Sequence, residues 1–459
     1  MTHAPNSWQA RDLVHHVHPQ TDLAVIRETG PVVIERGQGV FIYDEEGREY
    51  IDGISGLGCN SLGYGHKRLA QAASDQMEAL AFSPTFYGRT HPKVVELSEA
   101  LTDIAPEGLS RVLFQCSGSE ANDTAIKLLW YRSEAMGEPQ RKKIIGRIRG
   151  YHGNTIASVS LSGQPHMHAG FGLPLPMFRH LSNPNYYRFH VDGESEEEFS
   201  GRMAQEFEEL VLAEGPDTIA AFFAEPVMGG GGALVPPAGY WDAMQAVIRK
   251  YNITFLVDEV IAGFGRTGNL WASETFGLKP DMMTCAKALS AAHLPISALL
   301  FGEELHDIMV DQSNRNGVFG HGYTYAGHPV CAAVAVETLK IYEEIDYIGH
   351  IRRVAPRFME LMNELADHPL VGEARGVGLF YGLELVADKT TRDPFDPAMK
   401  VGEMVMNAAH QHGLYIRAIG DRISCMPPQV IKLAEIEEFV RRLTLALDDA
   451  WAMVHKQVA

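Results

Sequence analysis

The sequence predicts an α/β protein with a mostly parallel sheet and a second, smaller α+β domain. From about residue 110, short apolar runs alternate with longer amphipathic stretches, a pattern typical of βα units. The runs are apolar without alternation, as expected of parallel strands that are covered on both faces. Short strand patterns recur near both chain ends, which indicates further structure outside the central sheet.

The N-terminal part is predicted to begin with an antiparallel meander. Its three segments are residues 32–36, 40–44 and 48–52, and a Glu-Glu-Gly turn separates the last two. The next segment, residues 68–80, has the apolar spacing of a helix.

The central sheet is predicted from five apolar runs, which are residues 112–116, 144–148, 219–223, 253–257 and 282–285. In the C-terminal part, residues 376–385, 414–418 and 422–426 have strand character and are separated by helical patterns. The sequence contains neither internal repeats nor a low-complexity linker, so we expect the domains to be in close contact.

The charge of the chain argues against some classes of partner. Its 459 residues include 39 Lys and Arg against 58 Asp and Glu, a formal net charge of -19. Such an acidic surface repels nucleic acid and anionic lipid. No run reaches the roughly 18 apolar residues needed to span a bilayer, and the N-terminus lacks the apolar stretch of a signal peptide. We therefore predict a cytoplasmic protein without nucleic-acid or membrane partners.

Metal binding is not predicted. The five cysteines are dispersed and form no CxxC pair, so they are interpreted as buried free thiols. His15, His16 and His18 cluster near the N-terminus, but in this interpretation no carboxylate or cysteine accompanies them as a further ligand. Packing or surface histidines are therefore the favoured alternative.

Polar residues follow several of the predicted central strands. Residues 117–120 (Ser-Gly-Ser-Glu) follow the first strand, Glu225 and Asp258 follow two later ones, and Lys287 follows the run that ends at residue 285. Ligands of open α/β sheets bind beyond the carboxyl ends of the strands, so these groups are expected to converge on one edge.

Each of these groups also has a structural interpretation. The Ser-Gly-Ser turn before a helix suits an anion, but an ordinary helix N-cap is favoured for that motif alone. Asp258 is as well explained by a structural salt bridge as by a ligand contact, and Lys287 could be any lysine at a strand end. Spacing alone predicts a phosphate-binding α/β protein and no more.

Longer motifs carry a resemblance to a known family. Residues 257–268, VDEVIAGFGRTG, closely resemble the signature of the class III aminotransferases, also called omega-transaminases. About twenty residues later, Lys287 in CAKALS stands where that family has its Schiff-base lysine. Further motifs match in family order, from near Trp8 to beyond Arg417: DGISGLGCNSLGYGH (52–66), SGSEAND (117–123), GYHGNT (150–155), AEPVMGGGG (224–232), HGYTYAGHPVCAA (321–333) and ARGVGLFYGLEL (374–385).

The resemblance implies the cofactor and two catalytic residues. The cofactor is pyridoxal 5′-phosphate (PLP), which Lys287 would hold as a Schiff base before it carries the substrate proton. Asp258 would pair with the pyridine nitrogen and keep it protonated, which makes the ring an electron sink.

The resemblance also implies the residues around the cofactor and the substrate. Arg417 matches an arginine with which relatives grip a carboxylate, a task that suits a guanidinium fork. The phosphate would be bound by Ser117, Gly118 and Ser119, with Thr324 from a second subunit. Tyr151 would stack on the ring with His152 beside it, and Val260 would pack on the opposite face. Glu225 would brace the neighbourhood of Asp258 or contact the cofactor oxygen.

The fold implied by the resemblance is the type I fold of PLP enzymes, with a seven-stranded type of sheet in the large domain. Residues 1–60 and 334–459 would form the small domain, and residues 61–333 the large, PLP-binding domain. Relatives have their active sites between two subunits, so a homodimer or a dimer of dimers is expected.

Two places depart from the family pattern. Relatives usually carry Trp or Phe where this chain has Gly58, which should open space for a bulkier or longer amine. Compensation by aromatic residues of 82–87 is the alternative, and Phe86 among them is a predicted substrate-site residue. Ala288 and His293 stand where relatives usually have glycine and tyrosine, and His293 could either tune the amine site or fill the aromatic's space.

The predicted function is a ping-pong transamination from a primary amine, a diamine or an ω-amino acid to a keto acid. Pyruvate is the favoured acceptor, because the chain resembles pyruvate-using amine and diamine transaminases, and 2-oxoglutarate is the alternative. A racemase or aminomutase of the same fold remains open, since it would share Lys287 and Asp258. A third alternative is a non-catalytic PLP-binding protein, which retention of the complete site disfavours.

Overall fold

A computed structural model describes residue 4 and residues 6–458 of the chain. The predicted domain ranges 1–60 and 334–459 therefore have ends that lie outside the described residues. Within the described residues, none of the helices combines the length and apolar character that crossing a bilayer requires.

The strands are β1 (Ile34–Gln38), β2 (Phe41–Asp44), β3 (Glu49–Asp52), β4 (Arg111–Gln115), β5 (Lys143–Arg147), β6 (Phe178–Leu181), β7 (Ile219–Ala224), β8 (Thr254–Asp258), β9 (Met282–Cys285), β10 (Ser297–Phe301), β11 (Val371–Val377), β12 (Phe380–Leu385), β13 (Leu414–Tyr415), β14 (Arg417–Ala418) and β15 (Arg422–Cys425).

The α-helices are α1 (Trp8–His15), α2 (Leu23–Thr29), α3 (Ser55–Gly58), α4 (Lys67–Leu80), α5 (Pro92–Asp103), α6 (Gly118–Ala135), α7 (Ile156–Leu161), α8 (Pro165–His168), α9 (Tyr186–Phe189), α10 (Glu196–Glu214), α11 (Tyr240–Lys250), α12 (Ala272–Thr275), α13 (Glu303–Asn316), α14 (Pro329–Glu344), α15 (Tyr347–Glu364), α16 (Val401–Gln411) and α17 (Leu433–Val458).

The central sheet has seven strands in the order β4-β10-β9-β8-β7-β5-β6. Strand β10 is antiparallel to both neighbours, and the other pairings are parallel. Every residue of β7 is buried, which explains why its sequence IAAFFA shows no alternation. The predicted α/β fold with a mostly parallel sheet is thus confirmed.

Two strands of this sheet were not predicted. Strand β6 lies at one edge and has two polar residues in FRHL, so its sequence lacks an apolar run. Strand β10 is fully buried but short, and nothing in SALLF marks it as antiparallel. Sequence periodicity reports burial and does not report strand direction.

The predicted N-terminal meander is confirmed, because β1, β2 and β3 pair antiparallel in sequence order. Strand β13 adds to this sheet in parallel beside β3, so residues from the two chain ends share one sheet. A second small sheet has the order β11-β12-β15-β14. This pairing of distant segments supports the expected small domain built from both chain ends.

Two C-terminal predictions need correction. Residues 376–385 do not form one strand, because the chain turns between β11 and β12 at Gly378, where φ is +63°. Residues 414–418 are also divided, since β13 belongs to the first small sheet and β14 to the second. The chain changes sheets at Ile416, a step that local apolar pattern does not reveal.

The cysteines agree only in part with the prediction of buried free thiols. All five are free, and Cys285, Cys331 and Cys425 are buried. Cys59 and Cys116 are only half-buried.

The prediction that no carboxylate accompanies the N-terminal histidines is wrong, because Asp12 lies beside His16 and His18. Asp12 Oδ1 lies 3.0 Å from His16 Nδ1, and Asp12 Oδ2 lies 2.5 Å from His18 Nε2. Helix α1 ends at His15, which is exposed and is not part of this group.

Candidate active site

A cavity of about 520 Å³, including its part open to solvent, lies beyond the carboxyl ends of the central parallel strands. The segments after β4, β5, β7, β8 and β9 all contribute to its wall. Most of the predicted site residues line it: Gly118, Ser119, Tyr151, His152, Glu225, Asp258, Val260 and Lys287.

Asp258 is held in place at the end of β8 by three hydrogen bonds. Its Oδ2 accepts from Asn122 Nδ2 and lies 2.9 Å from His152 Nδ1, and its Oδ1 accepts from Val260 N at 3.1 Å. The side chain is only 4% exposed, so its orientation is fixed by protein contacts and not by bulk water. A carboxylate has lone pairs to spare beyond three bonds, which leaves Asp258 able to accept from a ligand in the cavity.

The imidazole of His152 forms a hydrogen bond with the Asp258 carboxylate. A carboxylate accepts hydrogen bonds only, so the contact requires the proton on His152 Nδ1. In the part of the chain that the structure describes, His152 Nε2 is buried and has no hydrogen-bond partner. The imidazole therefore orients Asp258 through Nδ1 alone.

Asn122 is a site residue to which the sequence analysis assigned no role. Besides its bond to Asp258, its Nδ2 donates to the carbonyl of His152 at 2.7 Å, and its Oδ1 accepts from Thr284 Oγ1 at 3.1 Å. Asn122 thus joins α6, β8, β9 and the segment after β5. Its position in the SGSEAND motif, one helical turn after Ser119, was the available signal.

Lys287 follows β9 directly and has a strained backbone. Its φ is +49°, a left-handed conformation that costs a non-glycine residue free energy and is often found at functional sites. Desolvation by the surrounding protein lowers the pKa of its amine, which favours the neutral nucleophilic form. Ala288 has no such positive φ, so its replacement of the usual glycine is free of backbone strain.

The start of α6 forms a cup beside the cavity. Ser117 caps the helix by accepting from Glu120 N at 3.2 Å, which confirms the N-cap interpretation of this residue. A Cβ on Gly118 would approach Val260 to 3.2 Å, and Ser119 Oγ accepts from Asn154 N at 3.0 Å. Gly118 and Ser119 thus present a helix N-terminus and a hydroxyl to the cavity, a combination that suits a phosphate.

Gly153 shows how tightly the segment after β5 approaches this cup. A Cβ at Gly153 would lie 2.6 Å from Ser119 Oγ and 2.7 Å from Ser119 Cα. Its φ of +131° is also one that other residues rarely adopt. Glycine is therefore required for the GYHGNT segment to reach the cup.

Glu225 braces the wall of the cavity through its neighbours. Its Oε1 accepts from Tyr151 N, and its Oε2 accepts from Gly229 N, each at 2.9 Å. Burial raises the pKa of its carboxyl. The AEPVMGGGG loop is thereby fixed against the segment that carries Tyr151.

Arg417 does not line the cavity, but it is an electrostatic neighbour of Tyr151 and Lys287. Within residues 6–458, its guanidinium has no hydrogen bond or ion pair with another side chain. Desolvation lowers its pKa. Arg417 is exposed, and an exposed cation without a side-chain partner is suited to bind a carboxylate from outside.

Gly58 lies behind the cavity wall, at the end of α3. Its φ is +70°, and a Cβ there would contact Met426 Sδ at 3.4 Å and Ile261 Cγ2 at 3.5 Å. Ile261 itself lines the cavity. A large side chain at this position would therefore project beside the cavity, and glycine leaves that space open.

Phe86 and Thr324 do not line the cavity of their own chain. Phe86 packs on Gly322, where an added Cβ would lie 2.7 Å from its ring, and Thr324 is exposed two residues later. Phe82 contacts Tyr325 in the same segment, and Tyr87 is 90% exposed. Within one chain, these aromatics therefore do not compensate for the missing ring at Gly58.

His293 does not line the cavity either. Its Nδ1 lies 2.8 Å from the carbonyl of Ala291 in its own loop, and His66 is its electrostatic neighbour. Its role in tuning the amine site stays a prediction.

Comparison with known proteins gives one consistent family. A family model described as Aminotransferase class-III matches residues 24–447. Gamma aminobutyrate transaminase 3, chloroplastic, of Solanum lycopersicum is 45% identical over 420 residues, which cover 91% of this chain and 81% of that protein.

Solved structures of omega transaminases superpose closely on this chain. The enzyme from Pseudomonas jessenii in complex with PMP is 44% identical, with a TM-score of 0.96 and coverage of 98% of this chain and 99% of that one. A thermostable omega transaminase variant with a tryptophan-to-glycine replacement, engineered for asymmetric synthesis of enantiopure bulky amines, is 45% identical. Its TM-score is 0.96, and the match covers 98% of this chain and 100% of that one.

Proposed function

Because the chain belongs to the class III aminotransferases, a family of PLP-dependent enzymes, we propose that it moves an amino group from a bulky primary amine, a diamine or an ω-amino acid to pyruvate. The observation that carries the proposal is the convergence of Lys287 and Asp258, from two neighbouring strands, on one cavity beside a phosphate cup. A racemase or aminomutase is not favoured, since the named relatives are transaminases.

The residues of the cavity fit PLP. Asp258 Oδ1 accepts from Val260 N and has a further lone pair with which to accept from a ring nitrogen. The start of α6 offers N–H groups and a hydroxyl to a phosphate. When bound, PLP supplies an aldehyde for the amine and a ring that withdraws electrons from the substrate carbon. Tyr151 and Val260 would enclose this ring, because both line the cavity.

Lys287 is proposed to act twice. Its amine, whose pKa is lowered by desolvation, is first the group that holds the cofactor covalently. When the substrate amine has replaced Lys287 on the cofactor, the free Lys287 amine would take the proton from the substrate Cα and pass it to the cofactor. Asp258 acts by its charge throughout, since a fixed carboxylate keeps a proton on the ring nitrogen.

Arg417 is proposed to select the acceptor. Its guanidinium lies beside Tyr151 and Lys287 and is free to make a two-pronged bond to the carboxylate of a keto acid. A short keto acid such as pyruvate would place its carbonyl near Lys287 while its carboxylate contacts Arg417. A longer dicarboxylate such as 2-oxoglutarate is the alternative acceptor.

The space beside Gly58 supports a bulky amine donor. A related enzyme engineered for bulky amines carries a tryptophan-to-glycine replacement, and this chain carries glycine where its family usually has an aromatic residue. The open space borders Ile261, which lines the cavity.

A homodimer with shared active sites is proposed on the positions of Phe86 and Thr324. These residues lie together on one surface and outside the cavity of their own chain. Tyr87 and Tyr325 are exposed on the same segments, at 90% and 62%. Exposed aromatic groups of this kind are typical of protein interfaces. If Thr324 completes the phosphate cup of a partner, Phe86 is expected to reach the same partner's substrate site.

The proposed location is the cytoplasm. The relative from Solanum lycopersicum is described as chloroplastic, so membership of the family does not by itself imply the cytoplasm.

The proposed reaction is tested by titrating the purified PLP-loaded protein with a panel of amines and following the cofactor absorbance. We expect a bulky or aromatic amine to bleach the band of the bound aldehyde, and pyruvate to restore it in a second step. If 2-oxoglutarate restored the band and pyruvate did not, 2-oxoglutarate would be the acceptor. A band that amines shift but never bleach would contradict amino transfer and favour the isomerase alternative.

Replacing Gly58 with a large aromatic residue is expected to narrow the amine range. We expect the variant Gly58→Trp to lose about 10- to 200-fold in kcat/KM for bulky amines and to change little for small ones, because pocket size is worth a few kcal/mol. The measurement is kcat/KM over a series of amines of increasing size.

The matched control is Gly47→Trp, since Gly47 also has a positive φ (+81°) but no neighbour within 4 Å of an added Cβ. It carries the same residue and the same kind of backbone strain outside the cavity. If Gly58→Trp lost kcat/KM equally for small and bulky amines, or if the control showed the same change in selectivity, Gly58 would not determine the amine specificity.

A further inference from the structure

Asp12, His16 and His18 form a compact group near the N-terminus, which we call the N-terminal cluster. One side-chain ligand atom from each residue lies within 4.8 Å of the other two, and the imidazole rings are 4.6 Å apart between centroids. Asp12 and His16 are four residues apart at the end of α1 and so lie on one face. The backbone of His16 is extended (φ -110°, ψ 138°), and the chain beyond it carries His18 to the other oxygen of the carboxylate.

We propose that the N-terminal cluster binds a divalent transition-metal ion through His16 Nδ1, His18 Nε2 and the Asp12 carboxylate. Imidazole nitrogen and carboxylate oxygen bind Zn²⁺ at about 2.0–2.2 Å, so neighbouring ligand atoms around a tetrahedral ion are about 3.3–3.6 Å apart. The two contacts of Asp12, 3.0 and 2.5 Å, are hydrogen bonds shorter than this separation, and an ion would replace them by moving these side chains apart by roughly 1 Å or less. The side chains of Asp12 and His18 are 25% and 20% exposed, which leaves room for an ion to enter and for water to complete its coordination.

The ligand types select the class of metal. Two imidazoles with one carboxylate favour Zn²⁺, Ni²⁺, Cu²⁺ or Co²⁺ over Mg²⁺ and Ca²⁺, which prefer oxygen ligands. Both histidine nitrogens that face Asp12 are protonated when they donate to it, so a bound ion would take the place of these two protons. The bound ion would tie the last turn of α1 to the segment that follows it.

A second group of possible ligands, Glu303, His306 and Asp307, is a weaker candidate. It offers one imidazole only. Both oxygens of Glu303 already accept from Arg111, at 2.7 and 2.8 Å, and an ion would have to break this paired contact. In the part of the chain that the structure describes, no arginine or lysine forms an ion pair with the N-terminal cluster.

The test is a calorimetric titration of the metal-stripped, PLP-loaded full chain with Zn²⁺, repeated with Co²⁺ to read the ligand-field spectrum. We expect one saturable site per chain that the variants His16→Gln, His18→Gln and Asp12→Asn weaken by at least about tenfold, since even indirect partners of a metal contribute that much. The control His15→Gln changes a neighbouring exposed histidine and is expected to bind as the unchanged chain does. Because every variant carries the same cofactor, metal bound by PLP itself cancels in the comparison.

Three outcomes would overturn the proposal. The first is the absence of saturable binding, which would leave Asp12 with hydrogen bonds to its two histidines only. The second is binding that none of the three variants weakens, which would place the metal elsewhere. The third is a spectrum of bound Co²⁺ without nitrogen ligands. A change in amine turnover is not required, so the result is independent of the proposed reaction.

Discussion

The variant Lys287→Ala is expected to lose turnover by about four orders of magnitude or more, because one side chain supplies both the covalent anchor and the proton transfer. The strained backbone and the desolvated amine of Lys287 are costly to the folded chain and are explained by such a role. The measurement is kcat with the best amine and pyruvate, together with the rate of a single turnover.

A second readout separates the two roles of Lys287. Borohydride reduction of the PLP-loaded protein, followed by mass spectrometry, should find the cofactor attached to the peptide that contains Lys287 and to no peptide of the variant. A small amine added to Lys287→Ala should restore part of the proton transfer but not the attachment. The control Lys279→Ala removes an exposed lysine a few residues before β9 and should retain full activity. Unchanged turnover in Lys287→Ala would mean that the proposed mechanism is wrong.

The variant Asp258→Asn is expected to lower kcat by about a hundred- to a thousand-fold, the usual effect of removing one group that stabilises developing charge. The amide has nearly the size of the carboxylate but no charge to keep a proton on the ring nitrogen. Its NH₂ group must also face Asn122 and His152, which are donors, or Val260 N, which is another donor. We therefore expect weaker cofactor binding as well, since a buried donor mismatch costs about 1–3 kcal/mol.

Glu259 provides the matched control for Asp258. It is the next residue in the chain and is also buried, but its oxygens accept from Ala272 N and Ser273 N, away from the cavity. Burial raises the pKa of this carboxyl to about 7. The variant Glu259→Gln should lower thermal stability more than it lowers kcat, and its cofactor absorbance should match that of the unchanged enzyme. If Asp258→Asn behaved in the same way, the charge of Asp258 would have no part in the reaction.

Much of the fold followed from local pattern. The buried strands β7, β8 and β9 have continuous apolar sequences because helices and other segments cover both of their faces, and they were located within a residue or two. Strand β10 was missed because a short apolar segment such as SALLF does not by itself distinguish a strand from other buried structure. The division of residues 414–418 between two sheets was missed because local pattern does not show which sheet a strand joins.

The sequence by itself determined the family, the cofactor and the order of the site motifs, since long motifs such as VDEVIAGFGRTG are specific as written. The tertiary structure alone decided which side chains touch. Asp258 is oriented by Asn122 and His152, which are 136 and 106 residues away in the chain. Phe86 and Thr324 lie outside the cavity of their own chain, although Thr324 stands in a motif that matches the family. Composition and periodicity report how each segment is buried, whereas contacts between distant residues depend on how the segments pack, and no local pattern encodes that geometry.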